Sequence, residues 1–433
     1  MEFLFELHPN FIHTKKRYIK MSKRRVVITG LGTMNAIGNN TEDTWKNLLQ
    51  GKSGITRITN FDINDDYASQ IAGEVKDYEP KDHFHRKRIK KMDRYTQFAI
   101  LAAKEALQDA KLIDAEFNRD RAGVLIASGI GGMYTFETEA AKLVTKGPKR
   151  ISPFFVPKMI SNASPAEVAI EYNFRGINFN ITSACASANH ALGTAFRTIQ
   201  YGDADIILSG GSEASVTPLT VAGFSSMKAL STRNNDPEKA CRPFDAERDG
   251  FILAEGAGVL VLEELEHAKK RGAKIYAEIV GYGASCDAYH ITAPAPEGEG
   301  GARAMKVALQ DAGIKPEAID YINAHGTSTP LNDKNETASI RNVFGEHAYK
   351  MKVNSTKSMV GHTLGAAAGI EAIVCCKSIE NSQIHPTINL ENSDPDCDLD
   401  YNPEGKQNLE INYALSNSLG FGGHNGVLIF KKY

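Results

Sequence analysis

Three residues of this 433-residue chain have side chains and sequence surroundings that suit catalysis. The first is Cys185, which follows the apolar segment 179–181 and precedes a helix-forming stretch rich in Ala and Ser. At a helix start, unpaired backbone N–H groups and the positive end of the helix dipole lower the pKa of a thiol, which favours a nucleophile. A cysteine among such small residues is also typical of a buried apolar position. Cys185 alone leaves both interpretations open.

The other two are histidines in the second part of the chain. His325 lies where an apolar segment runs into a loop of small hydroxyl residues (NAHGTSTP), a typical place for a polar catalytic group. A hydrogen-bonded structural histidine at a strand end is the alternative. His362 occupies nearly the same place in the second half of the chain that Cys185 occupies in the first. If the halves pack as duplicates, we expect Cys185 and His362 to approach each other.

The elements that would position these residues follow an α/β pattern. Short apolar runs end in Gly-rich turns, as buried strands of such sheets do, and amphipathic stretches lie between them. Three pairs of segments recur in the same order: 25–33 with 276–284, 180–195 with 354–369, and 256–264 with 424–432. The alternative is chance similarity among strings rich in Gly and Val. We predict an internal duplication, with halves at 24–272 and 273–433, and pockets form preferentially at such a join.

The N-terminal extension, residues 1–23, carries no clear targeting signal. Glu2 and Glu6 stand where a signal peptide needs positive charge, and the first twenty residues lack the Ser that transit peptides favour. Because Met21 directly precedes SKRRVVITG, an untidy extension or a start codon placed too early is the preferred interpretation. Targeting is the alternative.

A Gly-rich segment near the C-terminus, Asn417–Gly426, is a fourth candidate functional element. Glycines at this density let backbone N–H groups face a ligand, as an oxyanion hole requires. A Gly-rich hairpin turn with one packed Phe is the alternative.

Two other motifs are ambiguous or incomplete. The basic run Arg86–Lys91 fits a solvated helix face, or a docking site for an acidic protein or a phosphate. Gly30-Leu31-Gly32 lacks the third glycine of a dinucleotide-binding loop, because position 35 is Asn.

Composition excludes several broad classes of protein. With 42% hydrophobic and 24% charged residues, the chain matches a globular protein and not a disordered or collagen-like one. Fifty Lys and Arg against fifty-two Asp and Glu give a net charge of -2, so no global basic field attracts nucleic acid. No apolar run reaches the roughly 18–20 residues of a membrane span. The six cysteines form no C-x-x-C pair, which favours a reducing compartment.

Taken together, the motifs resemble those of the β-ketoacyl-[acyl-carrier-protein] synthases, and among them the synthase II group. The resemblance runs from about residue 24 to 432 and rests on TSACASA, NAHGTSTP, STKSMVGH and NSLGFGGHNG. It implies a thiolase-like fold, with two α/β halves stacked in five layers, usually as a homodimer. It also implies a cytoplasmic acyltransferase of fatty-acid synthesis. No cofactor of its own is expected, because phosphopantetheine arrives on the acyl carrier protein.

The resemblance implies a role for each motif residue. Cys185 would accept the acyl chain, with the backbone N–H groups of Cys185 and Phe421 as the oxyanion hole. His325 and His362 would donate hydrogen bonds to the thioester carbonyl of malonyl-carrier protein and stabilise the enolate that decarboxylation forms. Lys357 would support the histidines. The enolate would then attack the Cys185 thioester to give a 3-oxoacyl product and carbon dioxide.

Further residues match the binding surfaces of the family. The acyl pocket is matched by Ile130 and by Phe421, which is also the gating residue. Phosphopantetheine contacts are matched by Thr292, Thr327 and Thr329. The basic surface that docks the acidic carrier protein is matched by Lys87, Lys90, Lys91 and Lys228. A monovalent-cation site, with a purely structural hydrogen-bond role as the alternative, is matched by Asn323, Glu371, Ser416 and Asn417.

Three positions depart from the family pattern: Leu419 replaces a Phe, His424 a Thr, and Ala293 a second hydroxyl residue. They leave the catalytic set whole and bear on acyl-chain preference, so a synthase I-like or polyketide-type ketosynthase is the sister interpretation. A Cys–His thioester hydrolase would need one histidine as a general base, whereas paired histidines fit enolate stabilisation better. A non-catalytic partner subunit typically lacks the nucleophile, which is present here.

Overall fold

The computed structural model describes residues 23–433, so the predicted extension lies outside the described residues except for Lys23. The strands are β1 Val26–Met34, β2 Thr56–Arg57, β3 Ile71–Ala72, β4 Ala122–Ala127, β5 Ile206–Glu213, β6 Gly256–Glu264, β7 Ala277–Cys286, β8 Tyr321–Asn323, β9 Lys352–Asn354, β10 Gln383–Ile384, β11 Gln407–Asn408, β12 Tyr413–Gly420 and β13 His424–Lys431. The helices are α1 Thr41–Leu49, α2 Pro80–His83, α3 Arg86–Ile89, α4 Arg94–Asp109, α5 Met133–Lys146, α6 Phe155–Met159, α7 Ala163–Tyr172, α8 Ser187–Gln200, α9 Pro218–Ser226, α10 Leu265–Lys270, α11 Glu299–Ala312, α12 Pro330–Phe344, α13 Lys357–Val360 and α14 Ala367–Asn381.

The main sheet has the same arrangement when read from either end. Its nine strands lie in the order β4-β5-β6-β1-β7-β13-β12-β8-β9. In the first half, β6 runs antiparallel between β1 and β5, and β4 is parallel to β5. In the second half, β13 runs antiparallel between β7 and β12, and β8 is parallel to β12. The predicted duplication is therefore confirmed in the strand order and in the strand directions.

The two halves are joined by a short antiparallel pairing at the centre of the sheet. Val26, Val27 and Ile28 of β1 pair with residues 277–279 of β7. The outermost strand of the second half, β9, pairs in parallel with β8. Its counterpart in the first half is the parallel bridge that Asn178 forms to β4. The sequence echoes thus correspond to equivalent strands of two linked half-sheets.

Helices cover both half-sheets and fill the space between them. Helices α4 and α7 pack on the first half-sheet, α11 packs on the second, and α12 packs against α11. Between the halves, α8 and α14 each contact strands of both, and α14 is buried along nearly its whole length. The resulting layers alternate as helices, sheet, helices, sheet and helices, as predicted.

The Gly-x-Gly pair of β1 serves helix packing. A Cβ atom added to Gly32 would lie 2.0 Å from the carbonyl oxygen of Ala102 on α4. The equivalent position in β7 behaves identically, since a Cβ on Gly283 would lie 2.0 Å from the oxygen of Ala304 on α11. Both glycines allow a helix backbone to approach its strand closely, which accounts for the incomplete dinucleotide motif. Within residues 23–433, no helix is both long enough and apolar enough to cross a membrane.

Candidate active site

A cavity of about 460 Å³ collects the predicted catalytic residues from both halves of the molecule. The first half contributes Cys185 and Ile130, and the second contributes His325, His362 and Phe421. The thiol sulfur and one ring nitrogen of each histidine lie within 4.8 Å of one another. The predicted approach of Cys185 and His362 is confirmed by a distance of 3.0 Å between Sγ and Nε2.

Cys185 lies in a tight turn two residues before α8. The preceding residue, Ala184, has a φ of +49°, a left-handed conformation that is strained for a residue with a side chain. The hydroxyl of Ser187 fixes this turn, because it accepts a hydrogen bond from the Ser183 N–H at 2.8 Å and donates one to the Ala184 carbonyl at 2.6 Å. The turn therefore holds the thiol towards the cavity.

Burial controls the acidity of this thiol. Loss of solvent raises the pKa of Cys185 to about 11, although the positive charge of Lys357 and the backbone N–H of Phe421 act in the opposite direction. The expectation that a helix start gives a lowered pKa was therefore wrong. The favourable N–H groups are present, but desolvation outweighs them. In the resting protein the thiol is neutral near pH 7.

His362 is held as a hydrogen-bond donor towards Cys185. Its Nδ1 atom accepts a hydrogen bond from the Leu364 N–H at 3.3 Å, so the single proton of the neutral ring lies on Nε2. Burial and the nearby positive charge of Lys357 lower the pKa of His362 well below its usual value, which keeps the ring neutral. Nε2–H faces the sulfur, and this arrangement does not suit a general base.

His325 has the same protonation pattern through a different partner. Lys357 Nζ lies 3.4 Å from His325 Nδ1 and forms a buried ion pair with Glu371. An ammonium group can only donate, so Nδ1 accepts and the proton lies on Nε2. Burial, Lys357 and the neighbouring ring of His362 all lower the pKa of His325. The two rings are 5.3 Å apart between centroids and nearly perpendicular, at 84°.

The Gly-rich segment forms the turn between β12 and β13 and lies directly against the nucleophile. A Cβ atom added to Gly420 would lie 3.0 Å from the Ser183 carbonyl oxygen and 3.1 Å from the Cys185 nitrogen. Gly422 and Gly423 have φ values of +83° and +72°, which complete the turn. The hairpin interpretation is confirmed. The backbone N–H of Phe421 lies close enough to the thiol to lower its pKa, which is compatible with the predicted oxyanion hole.

Two buried carboxylates that the sequence analysis missed fix the loops of the site. Glu336 on α12 accepts hydrogen bonds from the backbone N–H groups of His325 at 2.7 Å and Gly326 at 2.8 Å. Glu213 at the end of β5 accepts hydrogen bonds from the N–H groups of Gly129 at 2.6 Å and Gly365 at 3.1 Å. Burial raises the pKa of both, to about 7 for Glu336. No spacing rule marks them, since their function depends on tertiary contacts.

The predicted binding residues fall into two groups. All three threonines and the departure positions Ala293 and Leu419 line the cavity, and the Thr327 and Thr329 hydroxyls lie 2.9 Å apart. Of the four predicted docking lysines, the cavity lining includes only Lys228. The exposed residues Lys87, Lys90 and Lys91 lie on or just after α3.

The four residues of the predicted cation site present oxygen atoms that have no hydrogen-bond partner among the described residues. These buried atoms are Asn323 Oδ1, Glu371 Oε2, Ser416 Oγ and Asn417 Oδ1. Asn323 and Ser416 are directly paired in the β8–β12 ladder. Hard cations prefer oxygen ligands of this kind, so the donor set fits a cation.

Comparisons with known proteins agree with this geometry. Residues 23–268 match the family model "Beta-ketoacyl synthase, N-terminal domain", and residues 276–391 match "Beta-ketoacyl synthase, C-terminal domain". The chain is 54% identical over 410 residues to 3-oxoacyl-[acyl-carrier-protein] synthase 2 of Staphylococcus aureus strain COL, covering 95% of this chain and 99% of that one. It is 52% identical over 413 residues to the protein of the same name from Synechocystis, covering 95% of this chain and 99% of that one.

Solved structures show the same fold. A beta-ketoacyl synthase from Burkholderia phymatum superposes with a TM-score of 0.88 at 36% identity, covering 95% of this chain and all of that one. A type II polyketide ketosynthase, solved in complex with its acyl-carrier protein and bound to the hexaketide, gives a TM-score of 0.88 at 39% identity, with the same coverage. The chain therefore belongs to the beta-ketoacyl synthase family.

Proposed function

We propose that this chain is a 3-oxoacyl-[acyl-carrier-protein] synthase of the synthase II type. It would join malonyl-carrier protein to an acyl chain held on Cys185. The observation that carries the proposal is the pair of neutral histidines whose Nε2–H groups converge beside the Cys185 thiol. The similarity to curated synthases of this name, at 54% identity over nearly the full length, supports the same reaction.

In the first step, Cys185 takes the acyl group from phosphopantetheine. Its sulfur attacks the thioester carbonyl, a new C–S bond forms, and the bond to the pantetheine sulfur breaks. The oxyanion that develops faces the backbone N–H groups of Cys185 and Phe421. The Cys185 thiol gives up its proton as the sulfur attacks, and the departing pantetheine sulfur takes up one proton, so the exchange consumes and releases no proton overall.

In the second step, malonyl-carrier protein loses carbon dioxide beside the histidines. The electrons of the breaking C–C bond pass into the thioester carbonyl, whose oxygen becomes an enolate and accepts hydrogen bonds from His325 and His362 Nε2–H. The enolate carbon attacks the Cys185 acyl carbonyl, and the C–S bond breaks to release the 3-oxoacyl product. The Cys185 thiolate that leaves takes up one proton from solvent, which restores the neutral thiol. Lys357 is a positioning residue here, because it acts through His325 Nδ1.

This arrangement favours condensation over thioester hydrolysis. A hydrolase needs a ring nitrogen with a free lone pair to deprotonate water. Both Nδ1 atoms instead accept hydrogen bonds from fixed donors, so both Nε2 atoms carry protons. A polyketide-type ketosynthase would use the same centre, but the solved polyketide relative is 39% identical whereas the curated synthase 2 is 54% identical. The acyl pocket would begin at Ile130, with Phe421 as its gate.

A homodimer is part of the proposal. Helix α5 buries only Thr135 and Glu139, although it carries exposed apolar residues such as Leu143 and Val144. An exposed apolar surface of this kind marks a protein interface, and a second copy of the chain is the proposed occupant. Nearby apolar residues extend this surface: Tyr134, Phe154, Val156 and Ile160.

The carrier protein would dock between Lys228 and the basic run. Lys228 lines the cavity mouth, and the Lys91 ammonium lies 5.2 Å from the ring centre of Phe154, at the border of the apolar surface around α5. Complementary charge would guide an acidic carrier protein to this face, and phosphopantetheine would reach Cys185 past Thr292, Thr327 and Thr329. It would arrive as part of the substrate, so no resident organic cofactor is proposed. The six unpaired cysteines support the proposed cytoplasmic location.

A bound cation would have a structural role. Asn323, Glu371, Ser416 and Asn417 would hold it through the unpartnered oxygen atoms described above. It would supply positive charge beside the buried carboxylate of Glu371, whose other oxygen already pairs with Lys357.

The test is to incubate the protein with malonyl-carrier protein and a graded set of acyl-carrier proteins, and to identify carrier-bound products by mass spectrometry. We expect elongation by one two-carbon unit, with long or unsaturated chains preferred. If the protein elongates only short chains, the proposed condensation reaction would stand and the synthase II assignment would be overturned. Release of free acids from folded protein, with no elongation, would overturn the proposal in favour of hydrolysis.

A further inference from the structure

The three catalytic side chains have the composition of a zinc site. One cysteine and two histidines, with a fourth position left open, form one of the ligand sets that bind catalytic Zn²⁺. The Cys185 sulfur and one nitrogen each of His325 and His362 lie within 4.8 Å of one another. Ligand atoms around a tetrahedral zinc ion lie about 3.4 to 3.6 Å apart, given the usual Zn–N and Zn–S bond lengths. Only small side-chain shifts separate the observed cluster from that geometry.

The surroundings of the histidines, however, are the reverse of those in zinc proteins. A zinc-bound histidine almost always donates the N–H of its other ring nitrogen to a carboxylate, a carbonyl or a water. Here the other nitrogens face donors: His325 Nδ1 faces Lys357 Nζ at 3.4 Å, and His362 Nδ1 faces the Leu364 N–H at 3.3 Å. Each Nε2 must therefore keep its proton, and a protonated ring nitrogen has no lone pair for a metal.

We propose that Cys185, His325 and His362 form a latent zinc site, and that Lys357 keeps this site free of metal by fixing His325 as the Nε2–H tautomer. The inference goes beyond the condensation reaction and assigns Lys357 a second task, the exclusion of soft divalent metals from a centre that must present two N–H donors.

Metal binding would change the protonation of every group in the cluster. The Cys185 thiol would release one proton to solvent, and the proton of each ring would move from Nε2 to Nδ1. The sulfur and the two Nε2 atoms would then donate lone pairs to Zn²⁺. In the native protein this places the new His325 Nδ1–H against the Lys357 ammonium. That ammonium is fixed by its ion pair with Glu371, whose side chain is 2% exposed, and cannot turn away to solvent.

Removal of the Lys357 ammonium would relieve this conflict at His325. In a Lys357→Met variant, His325 Nδ1 loses its fixed donor and can carry the proton, while His362 Nδ1 still faces the Leu364 N–H. The partners of the outer ring nitrogen change metal affinity by about 10- to 100-fold, so removal of one opposing donor should raise the affinity of the site.

Cobalt(II) is the probe for this inference, because Co²⁺ bound to a thiolate gives a charge-transfer absorption that reports the Cys185–metal bond directly. We would titrate the full-length wild type, Lys357→Met and Lys357→Gln with Co²⁺, and then displace the ion with Zn²⁺ to obtain affinities. The matched control is Lys377→Met, since Lys377 is also a buried, ion-paired lysine, on α14, with partners Glu42 and Glu380. Circular dichroism would select the variants that fold.

We expect a folded Lys357 variant to bind one Co²⁺ per chain, with the thiolate band, at least about tenfold more tightly than the wild type and the Lys377→Met control. Adding Cys185→Ser to that variant should abolish the band. Equal affinity of wild type and Lys357 variants would overturn the protective role of Lys357. No thiolate band in either folded Lys357 variant would overturn the zinc site itself. Because the readout is absorption, either result is independent of whether the protein elongates acyl chains.

Discussion

The two halves of the molecule have the same architecture and opposite chemical tasks. Cys185 lies two residues before α8 in the first half, and His362 lies five residues before α14, at nearly the same place in the second. The first position presents a sulfur nucleophile, whereas the second presents an N–H donor 3.0 Å from that sulfur. The duplication thus supplies two copies of one scaffold, and the proposed chemistry arises from what differs between them.

The loops after β4 and β8 extend this comparison. Each is fixed by a buried carboxylate that accepts backbone N–H groups, but Glu213 comes from the end of a strand and Glu336 from a helix. The first loop presents Ile130 to the cavity, and the second presents His325. In both halves a buried carboxylate fixes the loop, but it comes from a different element in each. The fixed loop serves the proposed acyl pocket in the first half and the proposed enolate stabilisation in the second.

The largest effect is expected from removing the nucleophile of the first half. Cys185→Ser should lower acyl transfer and condensation by at least about a thousandfold, because a neutral serine hydroxyl is a far weaker nucleophile. Mass spectrometry of the protein after incubation with acyl-carrier protein measures the covalent adduct. Elongation at the wild-type rate would show that the first half does not carry the acyl chain on Cys185.

The next effect concerns the contact between the halves. Gly420→Ala places a Cβ atom 3.0 Å from the Ser183 carbonyl oxygen, so the β12–β13 turn must move away from Cys185. We expect acyl transfer to fall by about a hundredfold, as when an oxyanion-hole donor is lost. The control is Gly223→Ala on α9, where an added Cβ has no atom within 4 Å. If the two variants are acylated at equal rates, the position of the β12–β13 turn does not affect acyl transfer and the prediction is wrong.

A smaller effect should distinguish the two loop carboxylates. In Glu336→Gln, the amide NH₂ would face a backbone N–H of the His325 loop, and two donors cannot form a hydrogen bond. Because His325 would then be misplaced, we expect malonyl decarboxylation to fall about tenfold more than acyl transfer. In Glu213→Gln, the displaced loop carries Ile130, so acyl transfer should fall more than decarboxylation. Each variant is the control for the other. Parallel losses of both activities in both variants would contradict a division of labour between the loops.

The smallest expected effect is a pH-dependent change in stability. Burial raises the pKa of Glu336 from 4.5 to about 7, so between these values the folded state binds more protons than the unfolded state. The free energy of unfolding of the wild type, relative to Glu336→Gln, should therefore fall as pH rises from 4.5 to 7, by up to about 3 kcal/mol. Denaturant titrations at several pH values measure this difference. A constant or increasing difference would contradict a Glu336 pKa that burial raises in the folded state.

The sequence predicted those features that leave a local signal. Segments repeated in order predicted the duplicated strands of the main sheet. The convergence of Cys185 and His362 followed from their similar places in the two halves, shortly before α8 and α14. Each of these predictions used residues close together in the chain or a repeated pattern.

Features that depend on distant residues could not be predicted. The helix start before Cys185 was visible in the sequence, but the desolvation that raises its thiol pKa comes from packing by both halves. Glu336 lies in a polar helical segment that gives no local sign of burial, yet it is fully buried and accepts a hydrogen bond from the backbone of the His325 loop. The side chain of Leu419 packs near Gly301 of α11, a contact that its motif does not reveal.

The central claim is that the first half carries the acyl chain while the histidines of the second half act on malonate. The most direct test is carbon dioxide release from malonyl-carrier protein by Cys185→Gln, compared with Cys185→Gln combined with His325→Ala. We predict that the single variant forms no acyl adduct and still releases carbon dioxide, and that the double variant loses that release. A folded Cys185→Gln protein that releases none, or a double variant that releases as much as the single, would contradict the account.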